Sequence, residues 1–220
     1  MTTVLFDLDG TLLDRQNSLC VYFHRQVARH PGLLAGVPFM PYLERFMELD
    51  AHGHGDKEAA WPRVAQEFGL PAGSGDLLRR DYHAHFPATC VPFPGLHQTL
   101  AACHERGWRL GIVTNGKAQS QDPKIDGLGI RPYFGAVLVS AVEGVKKPDA
   151  AIYARALERL GGRAEAAVMV GDNPRADIGG AQEAGLKAVW KRDPFWPPPE
   201  NPDAVVDELD ELPEAIEQLF

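Results

Sequence analysis

Four aspartates stand at or just beyond the ends of short apolar runs. Asp7 closes Val4-Leu5-Phe6, and Asp9 follows two residues later. Asp172 closes Ala167-Val168-Met169-Val170-Gly171, and Asp177 lies a few residues further on. Thr114 ends the run Leu110-Gly111-Ile112-Val113, and Lys147 sits between a fourth apolar run and a helix-length stretch. Carboxylates gathered at one place repel each other, so either their pKa values rise or a cation joins them. Hard oxygen donors at this density suit Mg²⁺, and the absence of His and Cys from these runs disfavours zinc. A carboxylate such as Asp7 can attack phosphorus and form an aspartyl-phosphate. Asp9 can protonate a leaving oxygen and later activate water. Thr114, the turn after it with Asn115, and the charge of Lys147 offer what a phosphoryl group needs: donors and neutralisation.

Bringing these residues together requires a sheet whose strands all end at one edge. The apolar runs are short and almost wholly apolar, which reads as strands buried on both faces. Ala136-Val137-Leu138-Val139, Ala188-Val189-Trp190 and Ala204-Val205-Val206 complete the set. Helix-length stretches at 96–106, 148–160 and 177–184 lie between them, each stopping at glycine. The alternation predicts an α/β fold with a doubly wound, Rossmann-like parallel sheet. In such sheets ligands sit at the carboxyl ends of the strands. Residues 15–90 break the pattern. Stretches at 18–30, 40–50, 57–68 and 75–86 read as helices joined by Gly/Pro-rich segments. The expected organisation is a core of residues 1–14 and 91–220 with an inserted all-helical domain at 15–90.

Composition sets limits. The chain has 220 residues, with Lys plus Arg 22 and Asp plus Glu 30, for a formal charge of −8. Hydrophobic residues make up 45 % and charged residues 24 %, as in ordinary folded proteins. Nucleic acid is not an expected partner, because no basic cluster larger than a pair occurs. No apolar stretch approaches a membrane span, and the first residues lack the basic start of a secretory leader. Cys20, Cys90 and Cys103 are few and widely spaced, so no disulfide framework is expected and a reducing cytoplasm is the default.

Asp7-Leu8-Asp9-Gly10-Thr11 resembles the first motif of the haloacid dehalogenase-like (HAD) phosphohydrolase superfamily. Val113-Thr114-Asn115-Gly116 resembles its second, Gly144-Val145-Lys146-Lys147-Pro148-Asp149 its third, and Val170-Gly171-Asp172-Asn173-Pro174-Arg175-Ala176-Asp177-Ile178 its fourth. The order matches, and the set spans nearly the whole core. The resemblance implies a Mg²⁺-dependent phosphatase with Asp7 as nucleophile and metal ligand. It implies Asp9 as general acid and base, with its main-chain carbonyl on the metal. It makes Asp172 the main distal ligand and Asp177 a support of the metal site, with Thr114 and Lys147 holding the phosphoryl group. The insertion corresponds to the family's first class of helical cap, which closes over the site and excludes water. The substrate expected is a small soluble phosphomonoester, such as a nucleotide, a sugar phosphate or a phosphoglycolate-like compound. The protein is expected to be a monomer or homodimer.

Other readings compete. Members that cleave carbon–halogen bonds lack the second acid, so Asp9 favours phosphate chemistry. Phosphonate-cleaving members use a cap lysine, for which Lys57 is the one candidate. Sugar phosphomutases share all four motifs, a catalytically silent binding protein could retain the fold, and receiver domains share an acidic cluster, a Thr and a Lys. In receivers, however, the acid follows a middle strand and no helical insertion occurs. His52-Gly53-His54-Gly55-Asp56 could bind metal or substrate, but its glycines favour a joint between helices. Trp61, Phe39, Phe46 and Phe68 suit a helical core. The proline-rich segment 194–202 reads as a stiff surface connection.

Overall fold

Six of the apolar runs form one parallel sheet in a computed structural model that describes residues 1–220, the side chain of Lys57 excepted. The strands are β1 (Thr3–Phe6), β4 (Arg109–Thr114), β5 (Ala136–Val139), β6 (Ala167–Gly171), β7 (Lys187–Lys191) and β8 (Ala204–Val206). Two short strands, β2 (Leu13–Asp14) and β3 (Val91–Pro92), pair separately. The order across the large sheet is β5-β4-β1-β6-β7-β8. β1 therefore lies between β4 and β6, with Phe6 level with Ile112 on one side and Val170 on the other. That register brings the three chain ends beyond Phe6, Val113 and Val170 to one edge.

The central strands β1 and β6 are buried on both faces, which is why they read as apolar runs rather than alternating. Leu5, Val113, Leu138 and Met169 pack with Ile152, Tyr153, Ala156 and Leu157 of the helix Ala150–Leu160. Val4, Phe6, Ile112, Val168 and Val170 point the other way and are equally buried. The fold class is the one expected: an α/β parallel sheet of Rossmann type.

The chain divides into two compact units, Met1–Asp14 with Pro92–Phe220, and Arg15–Val91. The second unit is helical, built on Arg15–Arg29, Pro31–Leu34, Phe39–Asp50, Lys57–Glu67 and Ser74–His85. Its core is aromatic. Tyr22, Phe23, Tyr42, Phe46, Trp61, Tyr82 and Phe86 are buried together, with Phe39 and Phe68 packed against them. The Phe46 and Trp61 ring centres lie 4.3 Å apart.

Two buried carboxylates in this unit are surrounded by donors. Asp81 accepts from Tyr22 Oη at 2.8 Å and Arg29 Nη2 at 2.6 Å, with His30 Nε2 at 3.0 Å. Asp50 accepts from Arg15 Nη2 at 2.8 Å and from the Gly53 amide at 2.8 Å. Burial alone would raise the Asp81 carboxyl, but its hydrogen bonds from Arg29, Tyr22 and His30 outweigh burial and hold it at about 2. The histidine-rich segment forms a joint, as its glycines suggest. Ala51–Gly53 is a single turn, and Asp56 caps the next helix by accepting from the Glu58 and Ala59 amides. The Lys57 side chain lies outside the described residues. Among the described residues, no helix is long and apolar enough to cross a membrane.

Candidate active site

Asp7 is the first residue after β1, and its amide still bonds to Val170 O at 2.9 Å, so the strand ladder fixes its position. The chain then turns sharply, with the Leu12 and Leu13 amides both returning to Leu8 O. Gly10 makes this turn with φ +85°, and a Cβ there would lie 2.7 Å from an oxygen of Asp172. Only glycine meets both demands, the left-handed backbone and the close approach. Thr11 then donates to Asp172 Oδ1 at 3.2 Å.

Asp172 leaves β6 beside Gly171, where a Cβ would overlap the side chain of Asp177. The wide helical turn Pro174–Gly179 follows, capped by Asn173, whose side chain accepts from the Arg175 and Ala176 amides. This turn aims Asp177 back toward the sheet, and its Oδ2 accepts from the Asn173 amide at 2.9 Å. The sequence places this helix at 177–184. It starts earlier because Asn173 and Pro174 supply the cap and the first helical position.

Lys147 Nζ bridges Asp7 Oδ1 at 2.6 Å and Asp177 Oδ1 at 2.7 Å. Its loop is held by Asn115, which donates to Lys147 O at 3.0 Å and accepts from the Lys147 amide at 3.0 Å. Asn115, expected to meet phosphate, thus turns its side-chain amide to the lysine loop. Ligand oxygens of Asp7, Asp172 and Asp177 lie within 4.8 Å of one another, and all three residues are buried. Lys147 bonds two of these three acids, Asp7 and Asp177. Burial raises the Asp7 carboxyl to about 7; Lys147 opposes the rise, while Asp177 and Asp9 add to it. Burial likewise raises Asp177, against the pull of Lys147. Burial would lower Lys147, but the charges of Asp177 and Asp7 reverse that and raise it. Three buried hard-oxygen donors within 4.8 Å of one another fit a divalent cation such as Mg²⁺.

Asp9 stands apart from that cluster. Its carboxylate is gripped by Lys124 Nζ at 2.9 and 2.8 Å and by Gln121 Nε2 at 2.9 Å. Gln121 Nε2 also donates to Thr114 Oγ1 at 2.7 Å. Thr114 accepts there, so its own hydroxyl hydrogen is directed elsewhere. Two tryptophans also bond Asp172. Trp196 Nε1 donates to its Oδ2 at 2.7 Å, and Trp190 Nε1 to its carbonyl at 2.8 Å.

Asp7, Asp172, Asp177 and Lys147 therefore meet directly, and Asp9 joins Thr114 through Gln121. Sequence reasoning misses Gln121, Lys124 and Trp196. Gln121 and Lys124 lie on the helix Ala118–Gly127, whose sequence Ala-Gln-Ser-Gln-Asp-Pro-Lys-Ile-Asp-Gly carries little apolar periodicity. The available signal was a Gln and a Lys one turn apart directly after the Thr114 loop. Trp196 lies in the proline-rich segment read as a surface connection. The Phe195 and Trp196 amides bond back to Asp193, which turns the indole inward.

The model of the haloacid dehalogenase-like hydrolase family matches residues 1–185. The chain is 32 % identical to a phosphoserine phosphatase of Thermus thermophilus, over 96 % of this chain and 98 % of that protein. It is 36 % identical to a glyceraldehyde 3-phosphate phosphatase of Pyrococcus furiosus, over 98 % and 92 % of the two chains. Among solved structures it is similar to the putative HAD-hydrolase YfnB of Bacillus subtilis bound to magnesium. The TM-score is 0.78 at 25 % identity, over 98 % of both chains.

Proposed function

The chain belongs to the haloacid dehalogenase-like hydrolase family and is an enzyme of its phosphatase type, and we propose from that premise that it hydrolyses small phosphomonoesters through Asp7. The observation that carries this reading is the buried trio Asp7, Asp172 and Asp177 with Lys147 bonded to Asp7. Asp7, Asp172, Asp177 and the main-chain carbonyl of Asp9 would hold Mg²⁺, which when bound neutralises charge on the carboxylates and on the phosphoryl oxygens.

The Asp7 carboxylate attacks phosphorus from the side opposite the leaving oxygen. The new bond joins Asp7 oxygen to phosphorus, the phosphorus–oxygen ester bond breaks, and its electron pair leaves on the departing oxygen. Asp9, as the acid, gives that oxygen its proton and is left a carboxylate. In the second step Asp9 takes a proton from water as the water oxygen bonds phosphorus. The Asp7–phosphorus bond breaks, inorganic phosphate departs, and both carboxyls return to their starting states. Lys147 and the Thr114 hydroxyl hold the transferring group, and Asn115 holds the loop that presents Lys147.

The direct experiment is phosphate release from a panel of sugar phosphates, nucleotides, phosphoserine, glyceraldehyde 3-phosphate and phosphoglycolate. Turnover of at least one of them with Mg²⁺, abolished by chelation, is the outcome expected. Absence of Mg²⁺-dependent phosphate release across the panel removes this reading.

A further inference from the structure

The helix Ala118–Gly127 begins just beyond the carboxyl end of β4, so its first turns lie along the edge that carries the site. Gln121 and Lys124 are three residues apart and share a face of that helix. Lys124 Nζ contacts both oxygens of Asp9, at 2.9 and 2.8 Å, and accepts no solvent-exposed role: its side chain is only 5 % exposed. It also donates to Gln121 Oε1 at 2.8 Å. Gln121 in turn bonds Asp9 Oδ2 and Thr114 Oγ1 with the same amide nitrogen. An ammonium group is costly to bury, and a single exposed ion pair would not require it. Asp9 itself lies on a loop, where its side chain could rotate. Donors on a packed helix fix both oxygens of its carboxyl at once, and they tie that orientation to Thr114.

We propose that Lys124 and Gln121 are positioning residues that aim the Asp9 carboxyl at the leaving oxygen of the substrate. The inference rests on the phosphatase reading above. Its test turns on the leaving group. An alkoxide needs the proton that Asp9 delivers, whereas 4-nitrophenolate departs without one. The parameter is kcat/KM, which covers the steps through cleavage of the ester and not the later hydrolysis of the Asp7 adduct.

Wild type, Lys124→Met, Lys124→Arg and Gln121→Met are compared on 4-nitrophenyl phosphate and on the alkyl phosphomonoester best used in the panel. Lys124→Met is expected to lower the alkyl value by about 10²-fold, the scale of a misplaced catalytic group. The aryl value should fall by less than about tenfold, since no general acid is needed there. Gln121→Met should shift the same ratio by less. Lys124→Arg should recover part of the alkyl rate. The alkyl-to-aryl ratio is taken on one preparation, so the fraction of folded enzyme cancels. If Lys124→Met is insoluble, Gln121→Met and Lys124→Arg carry the comparison. Equal losses on both substrates, no loss, or a ratio that rises would overturn the inference. Wild-type enzyme that cleaves neither substrate would overturn the phosphatase reading instead.

Discussion

Each unit of the chain buries aspartates, and the two units treat them in opposite ways. In the helical unit, Asp81 is met by Arg29, His30 and Tyr22, and its carboxyl is held at about 2. In the sheet unit, Asp7, Asp172 and Asp177 crowd together with Lys147 bonded to two of them, and Asp7 is raised to about 7. The first arrangement lowers the energy of the folded chain. In the second, burial and the neighbouring carboxylates raise the Asp7 carboxyl despite its bond to Lys147. Strained electrostatics of this kind mark a place where a ligand completes the balance. On the function proposed above, the same residue type serves architecture in one unit and chemistry in the other.

The sharpest way to break that contrast is a crossed pair of substitutions. Asp7→Asn should reduce turnover by about 10³-fold or more, while its melting temperature without metal stays level or rises. Asp81→Asn should do the reverse. Removing one partner of a buried ion pair costs about 3 kcal/mol, which a denaturation curve resolves. Phosphate release and thermal melts on both variants check the pair. An Asp7→Asn protein as destabilised as Asp81→Asn would erase the distinction.

A smaller effect sharpens it through pH, with chelator present. Asp81 is depressed below its ordinary value of 3.8 to about 2. Its contribution is complete above about pH 4 and lost as pH falls toward 2, on the order of 2 kcal/mol in all. Asp7 is shifted the other way, from 3.8 to about 7. The folded state then holds a proton that the unfolded state has released, so stability falls as pH rises from about 4 to 7. Asp7→Asn should flatten the second slope and Asp81→Asn the first, as read from urea midpoints at stepped pH.

The sheet was legible because its central strands are buried on both faces and so read as short apolar runs. Asp7, Thr114 and Asp172 were legible for the same reason, as the polar residues that end those runs. The helices of the unit Arg15–Val91 were legible from apolar spacing, and Trp61 and Phe46 sit in the core they were expected to build. The helix Ala118–Gly127 was not, because Pro123 and a polar sequence hide it and Ile125 is the one large apolar side chain it buries. Gln121 and Lys124 were hidden with it. Trp196 was obscured by its prolines. Its inward turn depends on Asp193, an interaction that periodicity does not carry.

The central claim is a covalent bond between Asp7 and phosphorus. Borohydride reduces an acyl phosphate, so treating the enzyme during turnover with Mg²⁺ should convert residue 7 to homoserine. Peptide mass mapping reads the change directly. Reduction at position 7 that requires both substrate and Mg²⁺ is the expected result. An enzyme that turns over substrate yet shows reduction at another carboxylate, or at none, would contradict the claim.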